Sequence, residues 1–394
     1  MASSNRQQYI PVSRTQVKSR LFQSGMVPDD ILPGLEKVSN MMEAIWHHSM
    51  HSELEHLKSL YEDMDPDQIR TPDTGNSEPF LEILDETLQN GNWEEISQDE
   101  LNEALAGEDV FPISLDVRFD ELATLRLYKL GELTVPDVRT SWFGLKKQEV
   151  TIESFDRVIQ ILEFHEEKWF RDKKRMKHYP GENATGLHLR LFKTVPKLDL
   201  ETIFPNTTPM MRYIDKIKIG APLIGGLVTL GLKFGPVLFG AESGDTSMAV
   251  IGGLSTALGT YVLKSYLSYQ KTRERYLAQV SKDLYFKGQA NNAAVLNMIV
   301  DLAEEQEVKE ALLAYTFLQT SNDKQYNQES LDDEIEDWLR ENFGFDVDFE
   351  VDDALGKLEE MRLLFKESDG HLSVTPIDEA LSILDDYWDN IYDY

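Results

Sequence analysis

IGAPLIGGLVTLGLKFGPVLF, residues 219–239, is the stretch on which the reading of this chain turns. Lys233 is its only charge, and as a helix it would run about 31 Å, the hydrocarbon thickness of a bilayer. The polar link GAESGDTS (240–247) separates it from MAVIGGLSTALGTYVLKSYLSY (248–269), which is uncharged as far as Leu263 and reaches Leu267 if Lys264 snorkels. Together they predict a transmembrane helical hairpin over 219–267, with the second arm the weaker.

Charge around the hairpin supports an orientation. Arg212, Lys216 and Lys218 precede it and Lys264, Lys271, Arg273 and Arg275 follow it, whereas the link holds only Glu242 and Asp245. The positive-inside rule then puts both termini on the cytoplasmic, or equivalent, side of a bacterial plasma or internal membrane or an organelle membrane. Gly231 and Gly235, Gly252 and Thr256, and Ser255 and Gly259 have small-xxx-small spacing, which lets helices approach closely and suits a homo-oligomer through the hairpin. A pair of buried helices is the plain alternative, kept open by Ser255, Thr256 and Thr260.

Before the hairpin the chain divides in two. Residues 1–105 read as mainly helical, with Ile31, Leu35, Val38, Met42 and Ile45, then Leu54, Leu57 and Leu60, at near-helical spacing. The Asp-, Pro- and Gly-rich DMDPDQIRTPDTGNSEP is a loop, and Ser97 with Glu100 makes a capping box for a short helix. Residues 106–210 alternate as strands do in LDVRF, TLRLYKLGE, QEVTIESF, DRVIQILEFH and GLHLRLFKTVP. LRLYKLGE and LRLFKTVP resemble each other and could be equivalent strands of one antiparallel sheet. The fold class expected is α+β, a helical region packed on an antiparallel sheet.

Beyond the hairpin, residues 268–320 read as helices. From 323 to 394 there are 23 acidic against 5 basic residues. Helices at 331–342 and 351–363, the hairpin FKESDGHLSVTP and a last helix at 377–392 give the order of a winged helix, with 308–318 as its first element and 321–394 as its domain. The would-be recognition helix EVDDALGKLEEMRLL has five acidic and two basic residues. DNA would repel it, so a partner protein with a basic surface is expected instead of nucleic acid.

The whole chain of 394 residues agrees with that exclusion, since 39 Lys+Arg stand against 70 Asp+Glu, a net charge of −31 and a pI near 4.6. No cysteine is present, which removes disulfides, thiol catalysis and cysteine-held metals. The first twenty residues are basic and acid-free, faintly like a transit peptide, and lack the apolar run of a secretory signal.

Four blocks now line up with a known pattern: LHLRLFKTVPKLDLETIFPNT (187–207), MRYIDKIKIGAPLIGG (211–226), LNMIVDLAEEQEVKEALLAY (296–315) and FGFDVDFEVDDALGKLEEM (343–361). In that order they resemble the transmembrane-protein-143-like family, an uncharacterised membrane family, and the likeness runs from about Tyr9 to Tyr394. The resemblance implies a two-span membrane protein with mitochondrial, chloroplast and bacterial relatives. It implies no catalytic residue.

Chemistry has few candidates. In WHHSMHSELEH, His47, His51 and Glu55 share one helix face, but positions eight apart are about 12 Å apart along the axis. Only His47 with His51, or His51 with Glu55, could share an ion; a solvated polar face is the plain alternative. Gly253, Leu254, Ser255, Thr256 and Ala257 imitate a nucleophile elbow without its strand-turn-helix context. No P-loop, GxGxxG or HExxH occurs, and the acidic runs lack EF-hand spacing. No catalytic, cofactor-binding or metal residue is assigned, no cofactor is expected, and the chain is not expected to be an enzyme. The function expected is a membrane-anchored protein-interaction module. The alternative is an oligomeric channel or transport component with Lys233, Thr229, Ser255 and Thr256 along its path.

Overall fold

A computed structural model describes residues 6–392 apart from 24, 70–71, 73–74, 107–112, 142–145, 322–323 and, save for Ile224, Gly225 and Val228, 212–244. It is an α+β structure with antiparallel pairing. The chain parts into two compact units, one of residues 1–96, 122–195 and 289–394, the other of 97–121 and 196–288.

In the first unit, helix α1 (Arg14–Gln23) is followed by α2 (Leu32–Tyr61), which Pro33 opens in its first turn, a position where the missing N–H costs nothing. Its Leu35, Val38, Met42, Ile45 and Leu57 are buried at intervals that keep one stripe inward. Helix α3 (Glu78–Asn90) ends where Gly91 and then Asn92, in the left-handed region at φ +60°, turn the chain. A five-stranded sheet runs in the order β1 (Glu94–Glu95), β3 (Leu122–Ser141), β4 (Lys146–Phe164), β5 (His188–Pro196) and β7 (Gly288–Asn291). The two sequence-similar strands, parts of β3 and β5, both border β4. β3 and β4 pair antiparallel from Leu122 opposite Phe164 to Ser141 opposite Lys146. A short helix, α5 (Glu167–Asp172), follows β4.

Helix α7 (Ala293–Gln319) is the axis of this unit. Its first half joins Leu57, Leu84, Ile159 and Leu189 in one hydrophobic cluster through Val295, Leu296 and Ile299. Its second half joins a different cluster through Val308, Leu312, Tyr315 and Phe317, with α1, α2 and the C-terminal helices around it. Each of these buried apolar side chains contributes about 1.5–3 kcal/mol relative to exposure.

The C-terminal helices are α8 (Gln328–Phe343), α9 (Val351–Glu360) and α10 (Ile377–Asp389). α8 starts on a capping box, Asn327 Oδ1 accepting from the Ser330 N–H while Ser330 Oγ accepts from that of Asn327. It stops at Gly344, whose φ of +75° lets its N–H reach back to Arg340 O. Strands β8 (Leu364–Lys366) and β9 (Leu372–Val374) form an antiparallel hairpin, and Tyr326, between α7 and α8, bridges antiparallel to Leu372 on the other side of β9. Gly370, at φ +89°, makes the turn between the strands.

The second unit holds α4 (Gln98–Ala106), the antiparallel pair β2 (Ile113–Val117) and β6 (Thr207–Met211), and α6 (Asp245–Lys287). Leu101, Leu115, Leu200, Ile203 and Phe204 are buried, and Phe119 meets the Phe204 ring edge-on at 5.4 Å. Asn206 Nδ2 and Arg118 O close the connection at 2.6 Å.

The membrane expectation is corrected here. Among the described residues no helix is long and apolar enough to cross a membrane. The second arm of the expected hairpin falls inside α6, where Gly252, Gly253, Thr256, Gly259 and Thr260 dilute the apolar residues and Lys264 interrupts them. Thr256 and Thr260 donate to the Gly252 and Thr256 carbonyls at 2.7 and 2.8 Å, satisfying their hydroxyls within the helix. The first arm, 219–239, lies outside the described residues except for three positions, and with it Lys233, Thr229 and the Gly231–Gly235 pair. The integral two-span protein, its cytoplasmic-side termini and the channel alternative are therefore withdrawn, and nothing among the described residues supports a lipid bilayer as partner.

Candidate functional site

Midway along α7 the sequence AEEQEVKEA (303–311) passes through the interior, and Gln306, Glu307, Lys309 and Glu310 are all buried. Polar groups on a helix covered on every side need partners, because each one left unpaired costs about 1–3 kcal/mol. Two sets of partners meet them, one from α9 and one from the N-terminal segment.

From α9, Lys357 places its Nζ 2.7 Å from Glu307 Oε2, 2.6 Å from Glu310 Oε2 and 2.7 Å from Asp353 Oδ2, so the three N–H groups of the ammonium have three carboxylates to donate to. The other oxygen of Glu310 accepts from Asn92 Nδ2 at 2.8 Å. One cation against three carboxylates leaves a negative surplus. Burial raises Glu307 to about 7 despite Lys357, and raises Glu310 as well. Burial would discharge Lys357, but Glu310, Glu307 and Asp353 outweigh it and hold its pKa above the ordinary lysine range.

The second set comes from residues 6–14, the segment that leads into α1 and meets α7. Gln306 exchanges two hydrogen bonds with the Ile10 backbone, each 3.3 Å. Lys309 Nζ donates to Ile10 O at 2.8 Å and Val12 O at 3.0 Å and stands 5.4 Å from the centre of the Tyr9 ring. Burial lowers Lys309 to about 8. Gln7 bridges Val347 in parallel and accepts on Oε1 from the Glu132 N–H at 2.9 Å, while Arg6 pairs with Glu336.

The consequence for the surface lies on α9. Val351, Ala354, Leu355, Lys357 and Leu358 face inward, and Asp352, Asp353, Gly356, Glu359 and Glu360 face out in one stripe. The helix's only base is spent in the interior, and every exposed charge it has is acidic. Asp353 joins the Lys357 cluster from outside, and Glu359 pairs with Lys366 of β8 at 2.7 Å.

The histidine cluster is dispersed. His47 Nδ1 bonds Glu304 Oε2 at 2.9 Å, His48 packs edge-on against Trp388 and Tyr392, His51 is exposed, and Glu55 pairs with Lys58, which holds its carboxyl below the usual range. Among the described residues no group of three or more such side chains stands where it could hold a metal ion. Ser255 lies inside α6, away from the strand-turn-helix that a nucleophile elbow requires. Sequence reasoning missed the inward turn of Lys357. The signal was its place three residues after Ala354, itself three after Val351, at the edge of the apolar stripe.

A family model described as "Protein of unknown function (DUF3754)" matches residues 155–294, from within β4 to the first turn of α7. The acidic stripe and the Lys357 cluster lie beyond the match. No solved structure matches the chain.

Proposed function

We propose that the chain is a protein-interaction protein without catalysis of its own, whose C-terminal part is a winged helix that docks a partner with a basic surface. The order of α7, the Tyr326 bridge, α8, α9 and the β8–β9 hairpin supports the winged-helix reading. One observation carries the partner's chemistry: every exposed charge on α9, where a nucleic-acid reader presents bases, is acidic, while Lys357 is buried against Glu307 and Glu310. Complementary charge sets encounter rate and selectivity more than raw affinity, so binding should be fast and salt-sensitive. The ordered blocks at 187–207 and 343–361 support including the chain with the transmembrane-protein-143-like family, as part of the same proposal and without its two spans.

Fluorescence anisotropy with a labelled Lys/Arg-rich peptide tests this. The intact chain should bind it with an affinity that falls steeply with salt, and Asp352→Lys with Glu360→Lys should weaken it at least tenfold. Tighter binding to duplex DNA than to the peptide would overturn the reading.

A further inference from the structure

The α9–β8 turn and the C-terminal half of α10 enclose a cleft of about 450 Å³. Met361, Ile383, Tyr387 and Ile391 give it apolar walls, and Asp386 and Arg362 are the charged groups among its lining residues. The volume falls within the roughly 300–1,000 Å³ of sites that take a specific ligand group. α10 has no base, and Asp378, Glu379, Asp385, Asp386 and Asp389 are all exposed. Tyr387 and Trp388, next to Asp386, are 39% and 42% exposed and add aromatic surface beside the carboxylates. Glu359 and Glu360 lead directly into Met361 and Arg362, so the cleft continues the acidic stripe of α9.

We infer that this cleft is where a basic segment of a partner protein seats one large apolar side chain, with its Lys and Arg residues lying over the carboxylates of α9 and α10. The occupant follows from charge: a cationic segment is the one the surrounding acids attract, and interfaces of this kind draw most of their energy from one or two buried aromatic or apolar anchors ringed by polar contacts. An exposed aromatic ring also attracts a cation over its face, which suits Trp388 to a partner arginine. Arg362 is the cation among the lining residues and opposes the occupant. It sits at φ +58°, a conformation asparagine tolerates well, so Arg362→Asn removes the charge without new backbone strain.

The inference rests on the acidic module being partner-binding, and the test separates the two. Two labelled helical peptides of equal positive charge, one carrying a single Trp and the other Ser in its place, are titrated into the full-length chain and into Tyr387→Ala and Arg362→Asn. The Trp peptide should bind at least tenfold tighter than the Ser peptide and keep that advantage near 1 M salt, where the Debye length falls to about 3 Å. Tyr387→Ala should erase the advantage while leaving the Ser peptide unchanged, and Arg362→Asn should tighten both about threefold. Equal binding of the two peptides overturns the cleft and leaves the acidic-face reading standing; binding of neither overturns both. Should Tyr387→Ala lower the melting temperature, the two peptides on the unmodified chain and on Arg362→Asn still decide.

Discussion

Lys357 Nζ stands 2.6 Å from Glu310 Oε2, and both side chains are shut off from solvent. The ammonium belongs to the helix that carries the acidic stripe and the carboxylate to the central helix of the unit, so the pair fastens the surface to the core. A buried ion pair adds little by itself, because desolvation offsets the attraction, but breaking it strands a charge. Lys357→Met should therefore cost about 3–5 kcal/mol in urea unfolding. Adding Glu307→Leu and Glu310→Gln should restore most of it, and a triple variant no more stable than the single would contradict this account.

Glu307 makes stability depend on pH. Its folded pKa, about 7, lies above the glutamate value of about 4.3 in an unfolded chain. The folded state thus holds a proton that the unfolded state has lost, and the contribution is full below about pH 4.3 and declines as pH rises through 7. Glu310, raised in the same direction, adds to the trend. Relative to Glu307→Gln, the unmodified chain should lose about 3 kcal/mol between pH 4.5 and 8. Denaturant titrations across that range check it, and parallel curves would refute it.

The N-terminal segment should behave as a structural part of the fold. Removing residues 1–12 takes both backbone acceptors from Lys309, leaving a buried ammonium to lose its proton or draw in water. Lys309→Met should destabilise the full-length chain and stabilise the truncated one. This reversal of sign, read from melting curves of the four proteins, is the coupling expected between partners in direct contact.

His47 and Glu304 should matter little. Their bond is 2.9 Å, but the histidine side chain is 71% exposed, so His47→Ala should change stability by less than about 1 kcal/mol. Zinc should leave the melting temperature unchanged, whereas a rise with zinc concentration would mean that His47 and His51 bind it.

Much of the architecture is legible in residue spacing, because helices with one wet face advertise their period: Val38, Met42 and Ile45 in α2, or Leu331, Ile335 and Leu339 in α8, all turn inward. α7 loses that signal over its second half, where burial is nearly continuous from Ala303 to Leu318. Gln306, Glu307, Lys309 and Glu310 therefore have the composition of a solvated face although they are the polar interior. QEVTIESF and DRVIQILEFH read as two strands and are one, β4, since no turn residue parts them. His47, His51 and Glu55 share a helical face in the sequence, yet His47 turns to Glu304 of α7 and Glu55 to Lys58 one turn along its own helix. Apolar content alone also misleads at 248–267, which is part of the long helix α6, since among the described residues no helix is long and apolar enough to cross a membrane.

Helix α7 serves two cores at once, and its later turns supply the wall against which Leu331, Leu355 and Ala380 close. A fragment cut at residue 321 would lose that wall and expose Lys357 without Glu307 or Glu310. The acidic C-terminal part is thus no transferable cassette. In descent it can travel only with the helix before it, and a lineage that discards the glutamates of α7 must also redesign α9.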